Sequence, residues 1–228
     1  MQPILPEEHI VKILRTEMVA HNVRRFTVEK PDGYKFTPGQ ATEVSINQSG
    51  WQRERRPFTF TSLNEWDHLE FTIKIYNDHQ GVTSQLGTLQ EGDELLLHDV
   101  WGTIHYEGEG TFLAGGAGLT PFIAILRQLH HDNRIDNNQL IFSNRTAKDI
   151  ILKDELAQIL GKRFINTLTQ EENPQYDHRR IDEGYLKEKI GSFSQYFYIC
   201  GPDAMVESVK LALLRLGAEE GKVITEEF

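Results

Sequence analysis

The sequence predicts two domains in one chain: an all-β sandwich or barrel, then an α/β domain on a mostly parallel sheet. Three observations predict it. Up to about residue 110 the chain is a series of short alternating runs separated by turn signals, the pattern of an all-β fold. From about residue 111, short apolar strands alternate with stretches of helical period. The glycine-containing stretches "AGGAGLTP" and "YICGPDAMV" both fall where a strand hands over to a helix, the edge at which an open α/β sheet binds its ligand.

In chain order the first half offers "HIVKILRTEMVA", "VRRFTVEK", "ATEVSIN", "LEFTIKIY" and "DELLLHDV" as strands. Pro31-Asp32-Gly33, Pro38-Gly39 and Gly92-Asp93 are turns between them. One short helix fits 82–89, after Gly81. The second half begins with "TFLAG" as a buried strand and "PFIAILRQL" as a helix, with Phe122, Ile125, Leu126 and Leu129 on one face. "QLIFS", "RFINTLT", "YFYICG" and "KVITEEF" read as strands; "DIILKDELAQIL", "GYLKEKI" and "PDAMVESVKLALLRLG" read as helices, the last closed by Gly217. The boundary falls near Gly108–Gly110, giving domains 1–109 and 110–228.

Composition narrows the function. The net charge of −10 argues against nucleic acid as the main partner, although "RERR" at 53–56 is a candidate basic patch. No apolar run is long enough to span a membrane, and "MQPILPEEHI" lacks the basic end and apolar stretch of a signal peptide. A soluble protein of the cytoplasm is expected. Cys200 is the only cysteine, so the chain forms no internal disulfide and by itself holds no four-cysteine zinc or iron–sulfur site. No histidine has metal-ligand spacing; His130 and His131 are adjacent on a helix, and the nine histidines read as surface or packing residues.

Three stretches carry candidate chemistry. "RRPFTFTS" at 55–62 sets arginine beside alternating aromatic and hydroxyl residues, which suits a planar ring and an anion. On a strand, 56, 58 and 60 face one side and 57, 59 and 61 the other, so contact of both sets with one ring requires twist or a bulge. "AGGAGLTP" brings glycines to a helix start, where backbone amides bind phosphate. Thr120 is placed to cap that helix and Pro121 to open it. Gly116 and Gly118 fit the dinucleotide fingerprint but Pro121 takes its third place, so the loop also reads as a plain strand–helix turn. In "YICGPDAMV", Cys200 ends a strand, Gly201 turns the chain and Pro202 starts a helix; alone, Cys200 also reads as an inert buried thiol.

Taken in order, "RPFT" (56–59), "IKIY…GVTS" (73–84), "GGAGLTP" (115–121), "FSNRTAKDIILKDEL" (142–156) and "CGPDAM" (200–205) resemble the ferredoxin–NADP reductase superfamily, in the branch of the cytochrome b5 reductases and bacterial flavodoxin reductases. The resemblance runs from about residue 8 to 228. It implies an antiparallel Greek-key β-barrel that binds flavin and an α/β parallel-sheet domain that binds pyridine nucleotide. By resemblance, Arg56 pairs with flavin phosphates through its planar fork, Phe58 packs along flavin and ribityl chain, and Thr59 sets its hydroxyl near flavin N5. Gly81, Thr83 and Ser84 would cap a short helix and hold the pyrophosphate, with Lys74 and Asn77 lining the flavin and its tail. Flavin-side contact extends to Pro57, Thr72 and Val82. Gly115, Gly116 and Gly118 would meet the pyridine nucleotide, Thr120 both ligands, and Asn144, Arg145, Gly201, Pro202 and Met205 complete that side. Cys200 would lie beside the nicotinamide C4 as a small polarisable group and not as a nucleophile. The chain ends "EEF"; Phe228 matches an aromatic that covers the flavin and Glu226 a proton relay two places earlier, while a bland surface end reads equally well.

The resemblance implies FAD in preference to FMN, and hydride transfer from NAD(P)H to the flavin before electrons pass to an acceptor. Arg145 and Lys148 favour a 2′-phosphate and Asp149 opposes one; the whole segment is similar to the NADH-preferring cytochrome b5 reductases, so NADH is favoured over NADPH. The expected acceptor is a separate ferredoxin, flavodoxin, haem protein or oxygenase component, or a small oxidant. Arg24, Arg25, Arg53 and Arg55 could give it a basic face, within a half that is itself acidic. Two other readings stand beside this one: a non-catalytic flavin- or nucleotide-binding subunit docked on a larger redox complex, and a nucleotide-binding interaction domain without flavin.

Overall fold

The computed structural model describes residues 8–78, 80–102 and 104–226. Six antiparallel strands come first: β1 (His9–Ala20), β2 (Val23–Glu29), β3 (Ala41–Ile46), β4 (Arg56–Thr59), β5 (His68–Lys74) and β6 (Glu94–Trp101). Their order is β4-β3-β6-β1-β2-β5, and a single bridge between Phe60 and Phe71 joins the two ends into a barrel. Strands β3, β4 and β5 are successive neighbours and β6 returns beside β3, the Greek-key connection. The interior is apolar because alternate residues point inward: Phe26, Val28, Val44, Phe60, Phe71 and Leu97 are all buried. Phe60 stacks on Phe36 at 4.2 Å between ring centres, so that half of the "FTF" ribbon belongs to the barrel core. Helix α1 (Val82–Leu86) plugs this core with Val82 and Leu86.

The second half is a five-stranded parallel sheet, β7 (Gly110–Gly115), β8 (Gln139–Asn144), β9 (Phe164–Leu168), β10 (Tyr196–Cys200) and β11 (Val223–Thr225), in the order β11-β10-β7-β8-β9. Helices α2 (Thr120–His131) and α3 (Lys153–Leu160) cover one face; α4 (Glu183–Lys189) and α5 (Asp203–Arg215) cover the other. Residue parity sorts the faces. Phe112, Ala114, Leu140, Phe142, Tyr198 and Cys200 pack with α2 and α3, whereas Leu113, Ile141, Phe197 and Ile199 pack with α4 and α5. Val23 and Ile104 from the first half join the α2–α3 cluster, so Cys200 lies on the side of the sheet that the barrel leans against. Tyr198 ties the connecting segment down: its hydroxyl accepts from the amides of Glu107 and Gly108 and donates to the Gly108 carbonyl.

Several elements differ from expectation for local reasons. Residues 149–152 are not helical: a 3-10 turn covers Ala147–Asp149, Ile150 is extended, Leu152 sits at φ +51°, and α3 starts only at Lys153. A capping box between Thr146 and Asp149 opens this turn, and the chain leaves helical geometry at Ile150 and Leu152 before α3 begins. Pro202 is the residue before α5, with extended ψ, and Asp203 is the first helical one. Strand β11 ends at Thr225. The expected cover by Phe228 lies outside the described residues.

Candidate functional site

The sheet changes direction between β7 and β10: from β7 the chain first builds outward through β8 and β9, then returns to add β10 and β11 on the other side. A crevice opens at such a point, beyond the carboxyl ends of the strands. Here it is bordered by Gly115–Thr120 after β7 and Cys200–Met205 after β10. The two loops touch. A Cβ on Gly118 would overlap the Cys200 carbonyl, and one on Gly115 would come within 2.9 Å of Pro202 Cδ and strike the Met205 sulfur. Gly201 in turn has its Cβ position 3.1 Å from Gly115 Cα. Glycine is therefore required at 115 and 118 for loop-to-loop packing. Gly116 is different: it has φ +53° and open space where a side chain would go, which leaves its backbone accessible.

Thr120 does not cap α2. A 3-10 turn at Gly116–Leu119 runs straight into the helix, Thr120 has helical dihedrals, and its hydroxyl donates to the Ala117 carbonyl at 3.0 Å. Pro121 occupies the first turn, where its missing N–H costs nothing.

Cys200 is buried, and its thiol donates to Glu226 Oε2 at 3.3 Å. Burial, then the Glu226 charge, pushes the thiol pKa far above its ordinary value. A neutral thiol at neutral pH follows, which is no nucleophile. Burial also raises the Glu226 carboxyl. Asn144, at the end of β8, is buried with both amide atoms unpartnered, an arrangement that asks for a ligand. Arg145 beside it is exposed. The neighbouring turn carries carboxylates on its own amides: Asp149 accepts from Thr146 N and Glu171 from Ala147 N, both at 2.9 Å.

On the barrel, β4 pairs with β3 from Arg56 to Thr59 without a break, so the anticipated bulge is not in this strand; the extra residue is in β6, between Leu97 and Val100. The strand instead changes partner after Thr59, leaving β3 to bridge β5 at Phe60. Arg56 is half exposed, with its guanidinium 4.0 Å from Glu54 and donating to the Arg55 carbonyl. Pro57 is exposed, Phe58 half-buried and Thr59 buried. Thr72 is buried and its hydroxyl lies 3.2 Å from that of Thr61. The Lys74 ammonium sits 5.6 Å above the exposed Tyr76 ring, and Asn77 is exposed. Gly81 precedes α1 with extended dihedrals; neither Thr83 nor Ser84 caps that helix with its side chain.

One residue that sequence reasoning missed joins the halves. Arg127 of α2 is only 7% exposed. It donates to the Thr61 carbonyl and Glu70 Oε1 on the barrel, both at 2.6 Å, and to the two oxygens of Glu155 at 2.5 and 3.0 Å. Burial alone would lower its pKa; Glu155 and Glu70 together raise it. A signal was present: Pro121–Leu126 is apolar all round, so an arginine beside it had to be buried and paired.

Comparison with known proteins supports both halves. Residues 9–97 match the FAD-binding domain family, and residues 112–211 match the oxidoreductase NAD-binding domain family. The chain is 27% identical over 234 residues to NADH-cytochrome b5 reductase 1 of Eremothecium gossypii, covering 94% of this chain and 81% of that one. It is 27% identical over 258 residues to a nitrate reductase [NAD(P)H] of Hordeum vulgare, covering 95% of this chain but only 29% of that longer protein. A ferredoxin NADP+ reductase from Neisseria gonorrhoeae, solved with bound FAD and NADP, superposes with a TM-score of 0.84 at 26% identity, over 96% of this chain and 97% of that one. The chain belongs to the ferredoxin–NADP reductase superfamily.

As a member of this superfamily it carries an FAD-binding domain and an NAD-binding domain. The residues present fit such ligands. Arg56 keeps donors free for an anion, Gly116 offers open backbone, and Asn144 holds an orphaned amide. The arginines anticipated as a basic face for an acceptor are partly engaged locally. Arg24 donates to the Gly87 carbonyl at 2.6 Å and Arg25 to Glu17 at 2.9 Å, while Arg55 lies 3.5 Å from Glu43 and 4.0 Å from Glu8. Carboxylates partner Arg25 and Arg55, a neutral carbonyl partners Arg24, and Arg53 alone of the four is exposed. Two surface hollows, one lined by Glu8–Val11 and Glu29–Asp32, the other by Phe164–Asn166 and Pro174–Asp177, share no residue with either ligand-binding set.

Proposed function

We propose that the chain is an NAD(P)H-dependent flavoprotein reductase that passes electrons to a separate acceptor. The observation that carries this reading is the interlocked pair of loops, Gly115–Gly118 against Cys200–Gly201, on the barrel-facing side of the sheet. Bound FAD would supply the chemistry of accepting hydride from a reduced nicotinamide and releasing electrons onward. The chain's part is placement. Arg56 offers a planar fork to phosphate. Phe58 offers a half-buried ring to a flat ligand and Thr59 a hydroxyl. The first-turn amides of α1, at Val82, Thr83 and Ser84, have no intrahelical partners and suit a pyrophosphate. On the other side, Gly116 and Thr120 line the approach of the nucleotide, and Gly118 keeps the Cys200 loop close. Cys200 fills the crevice floor without charge. Glu226 holds a proton more tightly than an ordinary carboxyl and is next to that thiol.

NADH is the proposed donor. Asp149 and Glu171 already occupy the amides of Thr146 and Ala147, so a 2′-phosphate there would meet two carboxylates, with Arg145 and Lys148 as opposing cations. The acceptor is proposed to be a redox protein or oxygenase component, in keeping with relatives named as cytochrome b5 reductases and a propane 2-monooxygenase reductase component. A domain division at 109/110 is supported by the gap between the end of β6 at Trp101 and the start of β7 at Gly110. Among the described residues no helix is long and apolar enough to cross a membrane, and a cytoplasmic location is proposed. Anaerobic mixing of FAD-loaded protein with NADH, and separately NADPH, tests the reading: bleaching of the flavin band is expected, faster with NADH. Flavin that binds and is bleached by neither would overturn it in favour of a docking subunit.

A further inference from the structure

Arginine is almost never fully buried unless paired, and a buried ion pair is often no better for stability than an apolar contact of the same volume. The Arg127 cluster therefore calls for an explanation beyond stability. Its guanidinium is a rigid plane with hydrogen bonds along two edges. One edge serves the barrel, through the Thr61 carbonyl and Glu70; the other serves α3, through Glu155. The barrel's Trp66 places its ring 5.3 Å from the same group. Thr61 is further held by its own hydroxyl, which donates to Glu70 at 2.7 Å, and the Thr61 amide donates to the Glu70 carbonyl at 2.8 Å.

The two ends of this clamp are short, stiff connections to the two ligand-binding segments. Thr61 follows Thr59 by two residues. Arg127 follows Thr120 by seven, about two helical turns, so both lie on nearly the same side of α2. The helix is a strut, the 3-10 turn at Gly116–Leu119 is its tip, and Arg127 is where it is bolted to the barrel. We propose that Arg127 is a positioning residue that sets the Gly116–Thr120 loop against the Arg56–Thr59 strand. The inference rests on the reductase reading, because only a transfer between ligands of the two domains requires that spacing.

The two carboxylates separate positioning from mere stability. Glu70 links α2 to the barrel, whereas Glu155 links it to α3 within the same domain. The test uses FAD-loaded wild type, Glu70→Gln, Glu155→Gln and Arg127→Lys, the last retaining charge so that folding is kept. At saturating NADH or NADPH, whichever the wild type accepts, Glu70→Gln and Arg127→Lys are expected to slow flavin bleaching at least tenfold. Half-saturating nucleotide and FAD affinity should stay within twofold, and Glu155→Gln should change the rate less than twofold. Hydrogen exchange on the same FAD-loaded proteins without nucleotide should quicken at 59–62 and 116–120 in the first two variants and not in the third. Equal rates in all variants at matched FAD occupancy, with only the melting temperature lowered, would overturn the proposal; so would a defect wholly explained by weaker FAD binding. Should the wild type not bleach with either nucleotide, the reductase reading fails, and the exchange pattern alone decides whether Arg127 positions the two segments.

Discussion

The two halves of the site are built on opposite plans. On the barrel, the groups proposed to face the ligand are side chains on a four-residue strand: Arg56 half in solvent, Pro57 exposed, Phe58 partly so. On the α/β side they are mostly backbone, in two loops so close that Gly115 and Gly118 have no room for a methyl group and Gly201 has little. The barrel half can lose a functional side chain and keep its fold. On the α/β half, a single added carbon at Gly115 or Gly118 forces the loops apart. Substitutions should therefore separate ligand affinity from stability on one side and join them on the other.

Gly118→Ala should have the largest effect. Its methyl would overlap the Cys200 carbonyl, and overpacking of this kind costs about 2–3 kcal/mol. Thermal unfolding should reveal that loss together with abolished nucleotide-dependent bleaching. Retention of both stability and bleaching would break the contrast drawn above. Arg56→Ala comes next and should behave oppositely. Loss of charge-assisted hydrogen bonds to phosphate, about 1.5–3 kcal/mol, should weaken FAD binding roughly 10–100-fold in a fluorescence titration. The melting temperature of the flavin-free protein should not move, since the nearest carboxylate is 4.0 Å away at the surface. Cys200→Ala should slow flavin bleaching about tenfold through misplacement of the nucleotide, with FAD affinity unchanged; a rate equal to wild type would remove the thiol from the crevice's working parts.

The smallest expected effect is a pH dependence. Burial raises the Glu226 pKa in the folded state, so the folded chain holds that proton more tightly than the unfolded one. Its contribution to stability is full below the ordinary glutamate value of about 4.3 and is lost as pH rises through the folded pKa. Melting temperatures of wild type and Glu226→Gln, followed upward from pH 4, should diverge, with the wild type losing ground. Parallel curves would place the carboxyl in water.

Much of this was legible in the residues. Alternation located five of the six barrel strands, because a half-buried strand must present apolar side chains at every second position; β4 came from the family resemblance of "RPFT". Cys200 at a strand end before Gly-Pro was enough to set it at the sheet edge. What could not be read was decided by contacts across the chain. Thr120 resembles a cap, but the 3-10 turn before it already continues the helix. Residues 149–152 have helical period, but the backbone is extended at Ile150 and left-handed at Leu152, so α3 begins only at Lys153. Arg24, Arg25 and Arg55 looked free because their partners, Gly87, Glu17 and Glu43, are distant in sequence or on another strand. The burial of Arg127 could have been read from the apolar run beside it, but not its partners, since Thr61 and Glu70 lie 66 and 57 residues away.

The closure of the barrel bears on how such chains can be recombined. Five of its six joints are ladders of paired residues; the sixth is the bridge from Phe60 to Phe71, and the carbonyl just beyond it, on Thr61, is satisfied by an arginine of the other domain. Val23 likewise finishes its burial in the α2–α3 cluster. The flavin half is thus not a self-contained cassette. Cutting the chain between 102 and 109 would take the buried arginine from Glu70 and leave the Thr61 carbonyl open at the seam, so gene fusions and domain swaps that respect the fold must carry the strut and its arginine along with the barrel.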